Sequence, residues 1–106
     1  MNLAAEYEVD TGNARAADRF KTRLEVGLRR MGATRIPGTV TDLSITGFRI
    51  NSDEKLHKDT MIWVKLGNLA PITARVIWVD RLLCGCAFTA PLHPSVLDSL
   101  LKQATP

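Results

Sequence analysis

The 106-residue chain contains little of what disulfide, metal and redox sites are built from. Its two cysteines, Cys84 and Cys86, lie two positions apart, so on a strand they would share one face. Two cysteines that close in one strand rarely bond to each other, and no second pair exists to complete a zinc site. We therefore expect two reduced thiols in the core, no metal and no cofactor, with a redox-active pair as the alternative.

Long hydrophobic runs are also missing. No apolar segment approaches the ~20 residues that a membrane-spanning helix needs, and the N-terminal residues lack the charged start and apolar stretch of a secretion signal. Hydrophobic residues make up 45% and charged residues 24%, which is the composition of a globular protein and not of a disordered or fibrous one. We expect a single soluble domain in the cytoplasm, without membrane insertion.

Sequence signatures of catalysis are absent as well. The two histidines, His57 and His93, have no metal-ligand spacing to another histidine or to a cysteine. The chain contains no Gly-x-Ser-x-Gly elbow, no glycine-rich phosphate-binding loop with lysine and no zinc-protease histidine pair. We therefore expect a binding protein and not an enzyme.

Charge is distributed unevenly along the chain, although the net charge is only +3. Residues 1–14 carry three acidic side chains and no basic one, whereas residues 15–35 carry seven basic side chains against two acidic ones. A local positive excess of this kind attracts phosphate or carboxylate ligands. The alternative is a solvated strand face on which arginine serves solubility.

Alternation of apolar and polar side chains predicts an all-β fold. A period of two begins at Phe20 and continues to Arg29, which is typical of a half-buried strand. The other predicted strands are 36–43, 48–51, 61–66, 72–80 and 83–89. Six short strands without alternating helices favour an antiparallel barrel, since closure removes exposed edges.

The two ends of the chain differ from the barrel sequence. Residues 1–13 are acidic and contain a turn signal, which indicates a flexible N-terminal arm before a domain spanning 14–106. Near the other end, Pro94 suits a first helical turn, and Ser95 with Asp98 three residues later resembles a capping box. We expect a short C-terminal helix packed on the barrel, a dimerising helix being the alternative.

Two local patterns carry possible binding chemistry. Arg15 and Arg19 place two guanidinium groups four positions apart just before the first strand. Asp42, Ser44 and Gly47 place an acid, a hydroxyl and a glycine at the end of one strand and the turn into the next. Taken singly, each pattern is also ordinary surface or turn chemistry.

In this order the two patterns resemble the motif of the PilZ domain, a bacterial receptor module for the second messenger cyclic di-GMP. The motif is Arg-x-x-x-Arg followed by Asp/Asn-x-Ser-x-x-Gly, and no motif position is substituted here. The segment from Ala74 to Trp78, followed by Gly85 to Phe88, resembles the late strand pair of such domains. The resemblance covers roughly residues 14 to 102 and implies a six-stranded antiparallel barrel with a C-terminal helix.

The resemblance also implies roles for individual residues. Arg15 and Arg19 would jointly bind the phosphates and guanines, and Asp42 would accept hydrogen bonds from guanine. Ser44 would bond guanine or steady the loop, and Gly47 would allow a positive φ or a close backbone approach. The second candidates for the pocket wall are Trp78 and Gly85, although core packing is the interpretation we favour for Trp78.

A flexible arm that carries both arginines suggests a mechanism. We expect residues 1–19 to fold over cyclic di-GMP. We also expect the domain to stand alone as a monomer or weak dimer and to signal to an unidentified effector protein. One alternative is a barrel of the same family that binds proteins without nucleotide. The other is a small barrel for single-stranded nucleic acid, which the scarcity of aromatic residues argues against.

Overall fold

The computed structural model describes residues 18–30 and 32–104. The predicted arm, residues 1–13, and the predicted site residue Arg15 lie outside the described residues. Arg19 and the other predicted site residues lie within them.

Six antiparallel strands form a closed barrel, as the alternation of apolar residues predicts. The strands are β1 (Phe20–Arg30), β2 (Ile36–Leu43), β3 (Gly47–Ser52), β4 (Met61–Lys65), β5 (Ile72–Asp80) and β6 (Leu83–Phe88). Around the barrel their order is β1, β2, β3, β6, β5 and β4, and β4 pairs with β1 to complete the ring. The predicted strands match these bounds to within one residue at each end.

The barrel interior is filled by the inward side chains of all six strands. The largest fully buried side chains of the strands are Leu28, Val40, Leu43, Ile50, Ile62, Val64, Val76 and Cys84, and Leu66 and Leu100 from outside the strands are buried with them. Cys84 and Cys86 are both free thiols in this core, as expected, and burial raises the pKa of each. Both side chains therefore stay protonated at neutral pH, a state in which a thiol is a poor nucleophile.

The C-terminal helix α1 (Pro94–Gln103) packs on the barrel through Leu97 and Leu100, which are buried with the core. Its N-cap is His93, whose Nδ1 accepts a hydrogen bond of 3.0 Å from the backbone N–H of Ser95. The prediction that Ser95 caps the helix with Asp98 is therefore wrong. Within the described ranges, no helix has both the length and the apolar character that crossing a bilayer requires.

The register of pairing shifts in three strand pairs. One shift lies between Lys21 and Leu24 of β1, opposite β2, and the other two are β-bulges on β2 and β5. On β2, Val40 pairs with Ile50 of β3 but Asp42 pairs with Arg49, which leaves Thr41 as an extra residue. On β5, Val76 pairs with Cys86 of β6 but Trp78 pairs with Gly85, which leaves an extra residue at Ile77. Each bulge reverses the side of the sheet to which the following side chains point.

The bulge at Thr41 decides the direction of Asp42. In a regular strand Asp42 would share the inward face of Val40, since the two are two positions apart. With the extra residue, it is Leu43 that points into the core, where it is fully buried, and Asp42 faces outward. The bulge at Ile77 acts in the same way, because Val79 packs against the core and Trp78 faces outward.

Candidate functional site

The two bulges, together with the register shift on β1, bring five residues of different strands into one line on the outer face of the barrel. Successive cross-strand pairs join Lys21 of β1 to Asp42, Asp42 to Arg49, Arg49 to Gly85, and Gly85 to Trp78. We call this line the outer row. It combines a carboxylate, two cations and an indole ring on neighbouring strands, so their side chains are within reach of one ligand.

Asp42 is the only acid of the outer row, and a cation stands on each side of it. Lys21 Nζ lies 3.8 Å from Oδ1, and Arg49 Nη1 lies 3.5 Å from Oδ2. Asp42 is only 6% exposed although it faces outward. Each carboxylate oxygen thus lies beside its own cation, in a long ion pair.

Arg49, like Lys21, is a residue of the outer row that sequence reasoning missed. Its guanidinium lies 5.5 Å from the centre of the Trp78 ring, while its Nη1 faces Asp42. Its Nε is buried and has no hydrogen-bond partner among the described residues. The signal in the sequence is weak, because Phe48 and Ile50 place Arg49 outward but nothing shows that Asp42 is its neighbour.

Trp78 lies flat against the outer row and does not belong to the core. A Cβ added to Gly85 would come within 2.0 Å of the Trp78 Nε1, so the indole occupies the space that the glycine leaves. Trp78 is half-buried, and the favoured interpretation of it as a core residue is wrong. The pairing of Trp78 with Gly85 places both second candidates at the site, next to Arg49.

The turn between β2 and β3 is held by Ser44. Its Oγ accepts hydrogen bonds from the backbone N–H groups of Thr46 and Gly47, at 3.2 and 3.1 Å. Ser44 is 3% exposed, so the structure favours the loop-steadying role over direct contact with a ligand. The serine of the motif therefore fixes the hairpin that carries Asp42 and Arg49.

Close packing of β3 against β6 requires glycine at position 47. A Cβ at this position would lie 2.2 Å from the backbone oxygen of Cys86 on β6. The described glycines with positive φ are Gly32 and Gly67, so of the two roles considered for Gly47 the close approach is the one observed.

Arg19 lies at the end of the barrel where the motif turn is found. Phe20 pairs with Leu43, which brings Arg19 to the level of Ser44 at the end of β2. Arg19 is exposed to solvent. The structure thus brings four of the five predicted binding residues to one end of the barrel, and the fifth, Arg15, lies outside the described residues.

A separate groove of about 410 Å³ lies on the outer face of β1, around Gly27. Arg35, Lys65 and Glu25 contribute charged groups to it. The ammonium group of Lys65 already donates to the backbone oxygens of Gly67 and Leu69, and the carboxylate of Glu25 accepts from Thr39 at 3.0 Å. The charged groups of the groove are thus largely engaged in contacts within the protein. None of the predicted site residues lines the groove.

The outer row suits recognition of a flat ligand that has hydrogen-bond donors, acceptors and negative charge. The carboxylate accepts, the guanidinium and ammonium donate, and the indole offers a surface for stacking. In the described part of the chain, no cluster of three or more histidine, cysteine or acidic residues could hold a metal ion.

Comparison with family models gives one match, the PilZ domain, over residues 13–103. The matched segment includes every predicted site residue, from Arg15 to Gly85, together with all six strands and helix α1. A search of curated proteins finds no match.

Proposed function

The chain belongs to the PilZ domain family, a family of cyclic di-GMP-binding domains, and on that premise we propose that it binds cyclic di-GMP on the outer row. PilZ domains are receptor modules and not enzymes, in keeping with the missing catalytic signatures. The observation that carries the proposal is the bulge at Thr41. It turns the motif aspartate outward, between two cations and at the end of the barrel where Arg19 lies.

The chemistry of cyclic di-GMP matches this surface. Each guanine presents N1–H and N2–H₂ donors, for which the outward-facing carboxylate of Asp42 is an acceptor. The two phosphates require cations, and Arg19, Lys21 and Arg49 supply three at or near the same end of the barrel. From the motif, Arg15 would add a fourth. Trp78 offers an aromatic face for a purine ring.

Titration calorimetry with three nucleotides tests this function. We expect saturable binding of cyclic di-GMP and at least about tenfold weaker binding of cyclic di-AMP and cyclic GMP. Adenine lacks the N1–H and N2–H₂ donors, and cyclic GMP carries a single base and phosphate. Equal binding of all three nucleotides, or no binding of cyclic di-GMP, would contradict the proposal.

A single-stranded oligonucleotide in the same titration distinguishes a nucleic-acid-binding barrel from a cyclic di-GMP receptor. A barrel that binds nucleic acid would take the oligonucleotide more tightly, with affinity falling steeply as salt rises, because many phosphates release counterions. A receptor for a nucleotide with two phosphates should show the shallower salt dependence and the preference for cyclic di-GMP. If the oligonucleotide binds more tightly at every salt concentration, the receptor proposal is wrong.

We further propose that the nucleotide signals through residues 1–19 to a separate effector protein. The support is the sequence, which places Arg15 and Arg19 immediately before β1, so nucleotide contacts would draw this segment against the barrel. Ordering a segment costs free energy, which charge-assisted hydrogen bonds of ~1.5–3 kcal/mol each can offset. Amide exchange in residues 11–19 should slow with saturating cyclic di-GMP, and unchanged exchange would rule this relay out.

A further inference from the structure

We propose that Arg49 is a base-reading residue, which donates to the O6 oxygen of guanine while Asp42 accepts from N1–H and N2–H₂. The inference rests on the proposed function and names the group that would select guanine over adenine. It starts from the salt bridge between Arg49 Nη1 and Asp42 Oδ2, which sets an acceptor and a donor side by side on the outer row.

The hydrogen-bonding edge of guanine carries two donors followed by one acceptor, in the order N2–H₂, N1–H and O6. A carboxylate can accept from the two donors, but it cannot bond O6, since an ionised carboxylate has no proton to give. A complete match therefore requires a donor beside the carboxylate. In the outer row that place is filled by Arg49, which is paired across the strands with Asp42.

The two oxygens of Asp42 have different neighbours, and this difference sets the orientation of the bound guanine. Oδ1 lies on the side of Lys21 and Oδ2 on the side of Arg49. With O6 next to Arg49, the N1–H group would face Oδ2 and the N2–H₂ group would face Oδ1. Guanine would then lie with O6 toward β6 and its amino group toward β1.

Arg49 is also available for this contact. Its only ion-pair partner in the described part of the chain is Asp42, at the long distance of 3.5 Å. The side chain is 36% exposed, so part of the guanidinium reaches solvent. Trp78 lies beyond it at 5.5 Å and limits its movement away from Asp42. An arginine fork with free donor capacity suits a guanine oxygen, because several N–H groups point in fixed directions.

Arg49 is expected to change the affinities for the two purines in opposite directions. Adenine presents a proton-free N1 and an amino group where guanine presents N1–H and O6. Its amino group would meet the guanidinium, donor against donor, and its N1 would meet the carboxylate, acceptor against acceptor. Arg49 should therefore raise affinity for guanine and lower affinity for adenine.

The test compares Arg49→Met with the wild type in binding cyclic di-GMP and cyclic di-AMP, the latter measured by displacement of cyclic di-GMP. Methionine keeps an unbranched chain but has no donor. We expect cyclic di-GMP to bind at least about tenfold more weakly to the variant and cyclic di-AMP to bind equally well or better. Preference for guanine should thus fall at least about tenfold.

Arg75→Met is the matched control, since Arg75 is an exposed arginine of β5, the strand that also carries Trp78. It removes the same charge from the barrel, and base preference should not change. The two nucleotides carry identical phosphates, so a loss of general attraction would weaken both equally. Thermal unfolding of both variants checks that the barrel is intact.

Three results would overturn the inference. If Arg49→Met weakens both nucleotides by the same factor, or changes neither, Arg49 does not read the base, although the binding function stands. If wild-type protein does not bind cyclic di-GMP at all, the inference and the proposed function fail together.

Discussion

Replacing Asp42 with alanine is expected to weaken cyclic di-GMP binding at least about tenfold, or ~1.4 kcal/mol. The physical reason is the loss of the acceptor for guanine N1–H and N2–H₂, a carboxylate that lies 3.8 Å from Lys21 and 3.5 Å from Arg49. The direction of the expected change in affinity is informative. The substitution removes the negative charge from a row with two cations, so general electrostatics would strengthen phosphate binding. Weaker binding would therefore report a specific contact.

Calorimetry measures this effect, with Asp53→Ala as the matched control. Asp53 is an exposed acid at the other end of β3 from the motif turn, and its removal changes the net charge equally. We expect wild-type affinity for Asp53→Ala. Arg19→Ala should lose at least about tenfold in affinity, here through loss of a charged donor. Wild-type affinity in both Asp42→Ala and Arg19→Ala would show that the nucleotide binds elsewhere.

Asp42→Ala should leave the fold nearly unchanged. Both ion pairs of Asp42 are long and involve side chains that reach solvent, and such pairs contribute about 0–1 kcal/mol to stability. A large loss of stability in this variant would mean that reduced binding reflects unfolding. Arg19→Ala then provides the independent test of the site, since Arg19 is exposed and precedes β1.

Replacing Gly47 with alanine is expected to destabilise the barrel by about 2 kcal/mol, in the middle of the range for overpacked positions. The new Cβ would lie 2.2 Å from the backbone oxygen of Cys86 and 3.2 Å from the Ala87 Cα. These are backbone atoms of β6, so relief requires β3 and β6 to separate. For a domain of this size the melting temperature should fall by roughly 10 °C.

Gly32→Ala is the control that separates crowding from backbone conformation. Gly32 has a φ of +73°, and nothing lies within 4 Å of an added Cβ. Its substitution should cost only about 1 kcal/mol, from the unfavourable φ. Denaturant unfolding that ranks Gly32→Ala as the more damaging change would contradict the close approach of β3 and β6 as the reason for glycine at position 47.

The barrel itself could be predicted from the sequence because alternation is a local signal. Each strand buries every second side chain, so runs such as Ile62 and Val64, or Cys84 and Cys86, mark inward faces without knowledge of their partners. Antiparallel closure follows from the number of strands and the lack of intervening helices. This is why the strand bounds and the fold class were within reach of sequence reasoning.

The outer row could not be predicted in the same way. A bulge adds one residue to one strand relative to its partner, and no residue type marks Thr41 or Ile77 as the extra one. Without the bulges, Asp42 and Trp78 would take the inward faces of Val40 and Val76. Arg49 was missed for the same reason, because its place beside Asp42 depends on that shift in pairing.

The helix cap shows a similar limit. Ser95 is a common N-cap residue and has an acid three positions later, but the helix begins two residues earlier than that pattern requires. Pro94 occupies the first helical turn, which leaves His93 as the cap through its Nδ1. The placement of the proline thus decided the cap against the usual residue preference.

The two tryptophans allow the most direct test of where the nucleotide binds. Trp78 lies on the outer row, whereas Trp63 stacks with Arg29 at 4.9 Å on the outer face of β4 and β1. Trp63 pairs with Thr73 of β5. Thr73 lies five residues from Trp78 along this strand, which corresponds to about 15 Å. Their indole N–H groups give separate signals in a proton–nitrogen NMR spectrum.

Titration of ¹⁵N-labelled protein with cyclic di-GMP should move the indole signal of Trp78 and leave that of Trp63 in place. Backbone signals of Asp42, Arg49 and Gly85 should move with it. If instead the signals of Trp63 and of Gly27 in the separate groove move while Trp78 stays unchanged, the nucleotide does not bind on the outer row.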